Sequence, residues 1–173
     1  RSRRQRQMCI RDRKKEGDLR SPAGIFELGG VYGTVPAPQK KRSMPYRRIT
    51  PRDMWVDDPA SPLYNQHFVL KHDPVTPWEF KQQMKLNDYA HSLKLFIRHN
   101  AADGRRKPVP GAGSSIFFHI WRRDGGAPTA GCTAMSEENL RAMIAWLDPS
   151  RHPLYILLPA REYLRLRRAW GLP

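Results

Sequence analysis

His119 closes an apolar, strand-like run, Ser114 to Ile120, and Cys132 follows a glycine thirteen residues later, just ahead of a helix start at Ser136. A thiol held beside an imidazole is a nucleophile with its base, a pairing that points to acyl transfer by a cysteine enzyme. The thiolate is the attacking species, whereas a free cysteine, with a pKa of about 8.5, is mostly protonated at neutral pH. An adjacent imidazole can take that proton, hold an ion pair and lower the thiol pKa. Gly131 has no Cβ and allows a sharp turn with close backbone approach. The amides around Cys132 lie near a helix N-terminus, where they can hold a developing oxyanion. Thr129 adds a hydroxyl, and Ala130 completes the Thr-Ala-Gly-Cys turn. Taken singly, a cysteine is more often a small buried hydrophobe, and a histidine on an apolar strand is more often a satisfied core residue. The pattern of neighbours favours the catalytic pair.

The elements that must position this pair read as short strands with few helices. Ile116 to Trp121 is a central strand candidate, and Leu93 to Arg98 alternates as a strand in its first half. Ile25 to Val35 carries Gly29, Gly30 and Gly33 and reads as a strand with bends. Met8 to Ile10, Ile49 to Val56 and Phe68 to Leu70 are further short strand candidates, and Leu154 to Leu158 is expected to be a buried one. Glu79 to Asn87 is a short helix or a loop. Ser136 caps a helix with Glu137 and Glu138 in its first turn, and Leu140, Met143, Ile144 and Leu147 form its apolar stripe. Asp148-Pro149 stops that helix. Ala160 to Trp170 is a basic helix with Tyr163, Leu166 and Trp170 on one face. Roughly six to eight strands against two or three helices predict a β-rich domain with peripheral helices.

Composition narrows the partners. A chain of 173 residues is expected to form a single domain, residues 1–173, long enough to bury most of its apolar surface. No apolar run reaches the roughly 18 residues that span a bilayer. The sequence opens on Arg1 rather than Met, so an export or anchor segment is expected ahead of it. The formal net charge of +15 favours acidic partners, nucleic acid or carboxylate-bearing peptides among them. The basic clusters are dispersed, at Arg1 to Lys15, Lys40 to Arg48, Arg105 to Lys107, Arg122-Arg123 and Arg161 to Arg168. No nucleic-acid motif accompanies them. A nucleic acid is therefore not the expected partner, and a basic nucleic-acid-binding protein without catalysis is the alternative from another class. Two cysteines permit at most one disulfide, and a nucleophilic Cys132 leaves Cys9 unpaired. Cys/His zinc binding fails on count, so neither a metal nor a cofactor is expected.

Beyond the Thr-Ala-Gly-Cys turn, other pieces fall in a recognisable order. Lys14-Lys15-Glu16-Gly17-Asp18 precedes Ser21-Pro22-Ala23-Gly24-Ile25-Phe26; Asp53-Met54-Trp55-Val56-Asp57-Asp58-Pro59 precedes Tyr64-Asn65; Leu147-Asp148-Pro149 precedes Leu157-Leu158-Pro159. Together with His119 and Cys132 they resemble the L,D-transpeptidase catalytic domain family, of YkuD type, and within it a proteobacterial branch. The resemblance covers most of the chain. It departs at Ala130, where many members have histidine, at Ala134 in place of Arg or Asn, at Ile120 in place of Gly or Ser, and in a shorter loop between the pair.

The resemblance implies a mainly β, sandwich- or barrel-like domain with peripheral helices, located in the periplasm or cell envelope and serving cell-wall biogenesis and cell shape. It implies peptidoglycan stem peptides as donor and acceptor, a thioester on Cys132, His119 as base, and oxyanion or site support from Gly131, Thr129 and Ala130. The link would be 3,3-type, or 1,3-type from L-Ala to diaminopimelate. Arg122 and Arg123 are candidate carboxylate clamps through their forked geometry. Carbapenems would acylate Cys132. A hydrolase or carboxypeptidase of the same fold is the close alternative, and a wall-binding module with a dead site a more distant one.

Overall fold

The computed structural model describes residues 14–38 and 43–173; Cys9, Met8 to Ile10 and most of the first basic cluster lie outside them. The long strand β1, Gly24–Gly33, organises the sheet because its two halves serve different partners. Its first half, Gly24 to Glu27, pairs antiparallel with β8, Leu154–Leu157. Its second half pairs parallel with β2, Tyr46–Arg48, and antiparallel with β5, Leu93–Ile97. The register shifts between Leu28 and Val31, at the two glycines that the sequence marks as a bend. β5 pairs antiparallel with β6, Phe117–Ile120, and β6 pairs parallel with β7, Thr133–Met135. A separate antiparallel pair joins β3, Asp53–Trp55, to β4, His67–Val69.

Three helices complete the described residues. α1, Pro77–Gln82, begins on a reciprocal cap in which the Thr76 hydroxyl accepts from the Glu79 N–H and the Glu79 carboxylate accepts from the Thr76 N–H. α2, Glu137–Trp146, starts at Ser136, whose hydroxyl accepts from the Asn139 N–H at 3.3 Å, and its Leu140 and Ile144 are fully buried. α3, Ala160–Trp170, is basic and has no fully buried residue. Strand and helical turns contribute about equally. The mainly β expectation therefore holds only in part: the domain is a mixed sheet with three helices, compatible with the fold that the resemblance implies. β8 also corrects an expectation. It pairs with β1 alone at a sheet edge, so Leu154 and Ile156 stay exposed instead of buried.

Two apolar clusters cover the sheet. Phe118 and Ile120 of β6 join Leu95, Ile97, Leu140, Ile144 and Leu147. The alternate residue Phe117 joins Ile49, Trp55, Met84 and Phe96, with Tyr32 and Cys132 packed beside them. The period-two alternation of a strand separates the two sets. Trp55 anchors the second cluster, with ring centroids 4.4 Å from Phe96 and 4.8 Å from Phe117. Its indole N–H is held by the Asn65 side-chain oxygen at 2.9 Å. That oxygen also accepts the Ser115 N–H at 3.0 Å, while Asn65 Nδ2 donates to the His99 and Asn100 carbonyls.

Asn65→Ala removes all four bonds and strands buried donors and acceptors. It should lower the unfolding free energy by about 2–4 kcal/mol, read by urea denaturation. A loss below about 0.5 kcal/mol would rule the amide out as a brace.

Candidate active site

His119 sits on β6 with its side chain on the Trp55 side of the sheet, sharing that face with Phe117. It is 2% exposed. Its Nδ1 lies 2.7 Å from the Ile120 carbonyl oxygen. A carbonyl only accepts, so Nδ1 carries the proton and Nε2 presents a lone pair. Burial lowers the His119 pKa, opposed by the Ile120 carbonyl and reinforced by Arg122. The imidazole is thus a neutral base of defined tautomer at neutral pH.

Cys132 reaches the same face through the parallel ladder. Phe118 pairs with Thr133 and His119 with Ala134, which brings Cys132 level with Phe117. The Phe117 N–H donates to Cys132 Sγ at 3.4 Å, and Sγ lies 3.4 Å from the Ser115 carbonyl. The thiol is half-buried and unbridged. Burial pushes its pKa up, against the Phe117 N–H and the positive charges of Lys94, Lys14 and Arg122. The resting pair is therefore thiol and neutral imidazole, not the ion pair expected from the sequence. The reason is desolvation, which penalises both charged forms.

The turn before Cys132 is built tightly. Gly131 has φ +133°, and a Cβ there would meet the Arg20 carbonyl at 2.8 Å. Both features require glycine. The Thr129 hydroxyl accepts from the Gly131 N–H at 3.3 Å and donates to the Cys132 carbonyl at 2.7 Å. Thr129 thus pins the loop, whereas Ala130 is exposed. Lys14 is buried behind the turn, its ammonium 3.4 Å from that same Cβ position and paired with Asp18. No strand is legible in the sequence between this turn and the helix; the structure inserts β7, whose three residues exist as a strand because β6 offers its free edge.

Three residues that the sequence reading did not single out, His91, Asp88 and Lys94, surround the imidazole. His91 stacks on His119 with ring centroids 4.6 Å apart and planes 26° from parallel. The Asp88 carboxylate holds His91 Nδ1 at 2.8 Å and accepts from Arg122 at 2.6 Å. Burial works against ionisation of Asp88, but Arg122 and His91 outweigh it and hold the carboxyl far below its usual range. Burial lowers His91 to about 4, against the raising effect of Asp88 and with further lowering by His119. Lys94 faces His119 directly across the β5–β6 ladder. A lysine inside the apolar run Leu93 to Ile97 was the one sequence signal for any of these. Of the two candidate clamps, Arg122 is brought to the imidazole end through Asp88. Arg123 lies on an exposed turn at φ +49°, and its side chain forms no ion pair among the described residues.

A family model described as YkuD, L,D-transpeptidase catalytic domain, matches residues 4–156. The chain belongs to this L,D-transpeptidase family. Searches among curated proteins and among solved structures each found no match. Domains of this family are generally those of cysteine-dependent transpeptidases acting on peptidoglycan at the cell envelope. In this transpeptidase-family domain α3 lies beyond the matched residues. Among the described residues no helix is long and apolar enough to cross a membrane, and no three acidic, histidine or cysteine side chains converge to hold a metal ion.

The His91 shift carries a sign. Unfolded, His91 titrates near 6.5; folded, near 4. The unfolded chain binds the extra proton between those values, so stability is full above pH 6.5 and falls as pH drops toward 4. Thermal unfolding followed from pH 7 to 4 should show this decline, and His91→Phe should make it shallower, leaving the part that the lowered His119 contributes. An equal slope in the variant would exclude His91 as its source. The Asp53 carboxyl, held at about 2 against burial by Arg47, Thr50 and His67, acts only at lower pH.

Proposed function

We propose that this domain is a peptidoglycan L,D-transpeptidase with Cys132 as nucleophile and His119 as general base. The observation that supports this most is the neutral His119, its Nδ1–H fixed on the Ile120 carbonyl, on the sheet face that also carries Cys132. The reaction begins as the Cys132 thiol proton passes to His119 Nε2 and sulfur attacks a carbonyl carbon of the donor stem. The oxyanion is held by amides of the Gly131-Cys132 turn. The donor C–N bond breaks, the leaving amine takes the proton from His119, and a thioester remains. The amine of diaminopimelate on a second stem then attacks the thioester carbonyl. Its proton goes to His119, a new amide forms, and the thiolate is released and reprotonated.

Thr129 supports the turn, with Ala130 and Gly131 giving it its shape. Arg122 orients a substrate carboxylate at the imidazole end; Arg123, on its exposed turn, is the weaker candidate. The product is a 3,3-type link or a 1,3-type link from L-Ala to diaminopimelate. The family points to the cell envelope, with the periplasm as the compartment proposed for residues 1–173 acting as one domain.

Defined disaccharide-tetrapeptides incubated with the protein should yield cross-linked dimers by mass spectrometry, lost in Cys132→Ala, with fragmentation identifying the link. Shortened monomers alone would instead make it a hydrolase or carboxypeptidase. No Cys132-dependent change would end the enzymatic reading and bring nucleic acid forward as partner. Separately, a carbapenem should add its own mass to the wild-type chain and nothing to Cys132→Ala. Absence of any adduct across several carbapenems counts against a transpeptidase.

A further inference from the structure

Lys94 is 4% exposed, and its ammonium donates to the Met84 carbonyl at 2.8 Å while lying 5.5 Å from the centroid of the Phe117 ring. Among the described residues no carboxylate pairs with it: the nearby Asp88 is taken by Arg122 and His91. A buried ammonium held only by neutral groups is costly. Buried ionisable groups with perturbed titration cluster at functional sites.

The ladder registers show where that counter-charge arises. Lys94 lies opposite His119, and Phe96 opposite Phe117, on β5 and β6. On the other side of β6, Cys132 is level with Phe117, and its thiol touches the Phe117 N–H. Lys94, His119 and Cys132 therefore share one face of three adjacent strands, with the ammonium lying by the aromatic ring that the thiol packs against. Cys132 is the one group on this face that becomes anionic when its proton moves to His119.

We propose that Lys94 is the electrostatic partner of the Cys132 thiolate: it stabilises the anion formed when the thiol proton leaves, and that anion supplies the counter-charge the lysine lacks at rest. The inference rests on Cys132 being the nucleophile, as read above. The other charged and titratable groups around the face are His119 on β6, Asp88 and His91 before β5, Arg122 after β6, and Lys14 behind the nucleophile turn. Burial lowers Lys94 to about 8, with Cys132 and Asp88 opposing the fall. The lysine is thus cationic at neutral pH and loses its charge just above it. Arginine at this site keeps the charge to higher pH.

The test reads thiol ionisation without any wall substrate. In a Cys9→Ser background, the rate of Cys132 alkylation by iodoacetamide is followed from pH 5 to 10 for the parent protein, Lys94→Met and Lys94→Arg, with thermal unfolding in parallel. Lys94→Met should raise the alkylation midpoint by about one pH unit, a roughly tenfold slower reaction at pH 7. Its stability should be equal or higher, since an apolar side chain replaces an unpaired buried charge. Lys94→Arg should restore the parent midpoint. A folded Lys94→Met with an unchanged or lowered midpoint overturns the proposal. Lys94→Gln, which keeps a donor for the Met84 carbonyl without the charge, makes the same decision if the methionine variant folds poorly. Failure of the cross-linking assay with a shifted midpoint would reject the transpeptidase reading alone; the reverse pattern would reject the lysine alone.

Discussion

The buried side-chain amide of Asn65 ties the separate β3–β4 pair to the segments that flank β5 and β6 in the main sheet. Its oxygen holds the indole of Trp55 and the Ser115 N–H; its nitrogen holds the carbonyls that follow β5. A side-chain amide has two lone pairs and two N–H groups, so these four bonds use its full capacity. Asn65 itself sits at φ +54°, in the left-handed region that asparagine tolerates better than most residues. Ser115, fixed by this amide, offers its carbonyl to the Cys132 thiol. The position of the Cys132 thiol thus depends on a residue distant in sequence that acts through Ser115. The same amide orients Trp55, whose ring fills the space against Phe96 and Phe117. Packing under the site and placement of the thiol are in this way one constraint.

The electrostatics of the site follow from dryness. Desolvation raises Cys132 and lowers His119, His91 and Lys94. Each shift favours a neutral form, and together they keep the resting site poorly charged apart from Lys94 and the Asp88–Arg122 pair. A neutral thiol is a weak nucleophile, so in the proposed mechanism its activation coincides with substrate arrival and proton transfer rather than preceding them. The His91 ring stacked on His119 adds a second neutral imidazole whose own Nδ1 is tied to Asp88. Stacking and tether hold the His119 ring in one plane, and a ring so fixed would need little reorganisation in the proposed proton transfer.

How much of this was legible beforehand depended on range. The start of α2 was readable because its cap, its acidic first turn and its apolar stripe lie within about ten residues. α3 was readable at both ends for similar reasons, flanked as it is by Pro159 and Gly171. β6 was readable from its apolar run. β7 was not, since three residues of modest character become a strand only when a neighbour's edge is free beside them. β8 was misjudged as buried because an apolar strand at an edge and one in a centre have the same composition. Their difference is the number of neighbours, which β1 decides by bending at Gly29-Gly30 and leaving β8 paired on one side.

The sequence alone determined the candidate pair, a histidine at the end of a strand and a Gly-Cys turn after a short loop, and the order of flanking motifs that marks the family. These are matters of residue type and local spacing, and glycine at 131 is dictated by a backbone angle that other side chains resist. Only the tertiary structure decided what surrounds the pair. Asp88, His91, Lys94 and Arg122 come from three elements and meet because β5 and β6 align in one register. Shifting that register by a single residue would turn Lys94 toward the helix-covered face. Register is set by the whole sheet and its two apolar clusters, and no local stretch of sequence contains it.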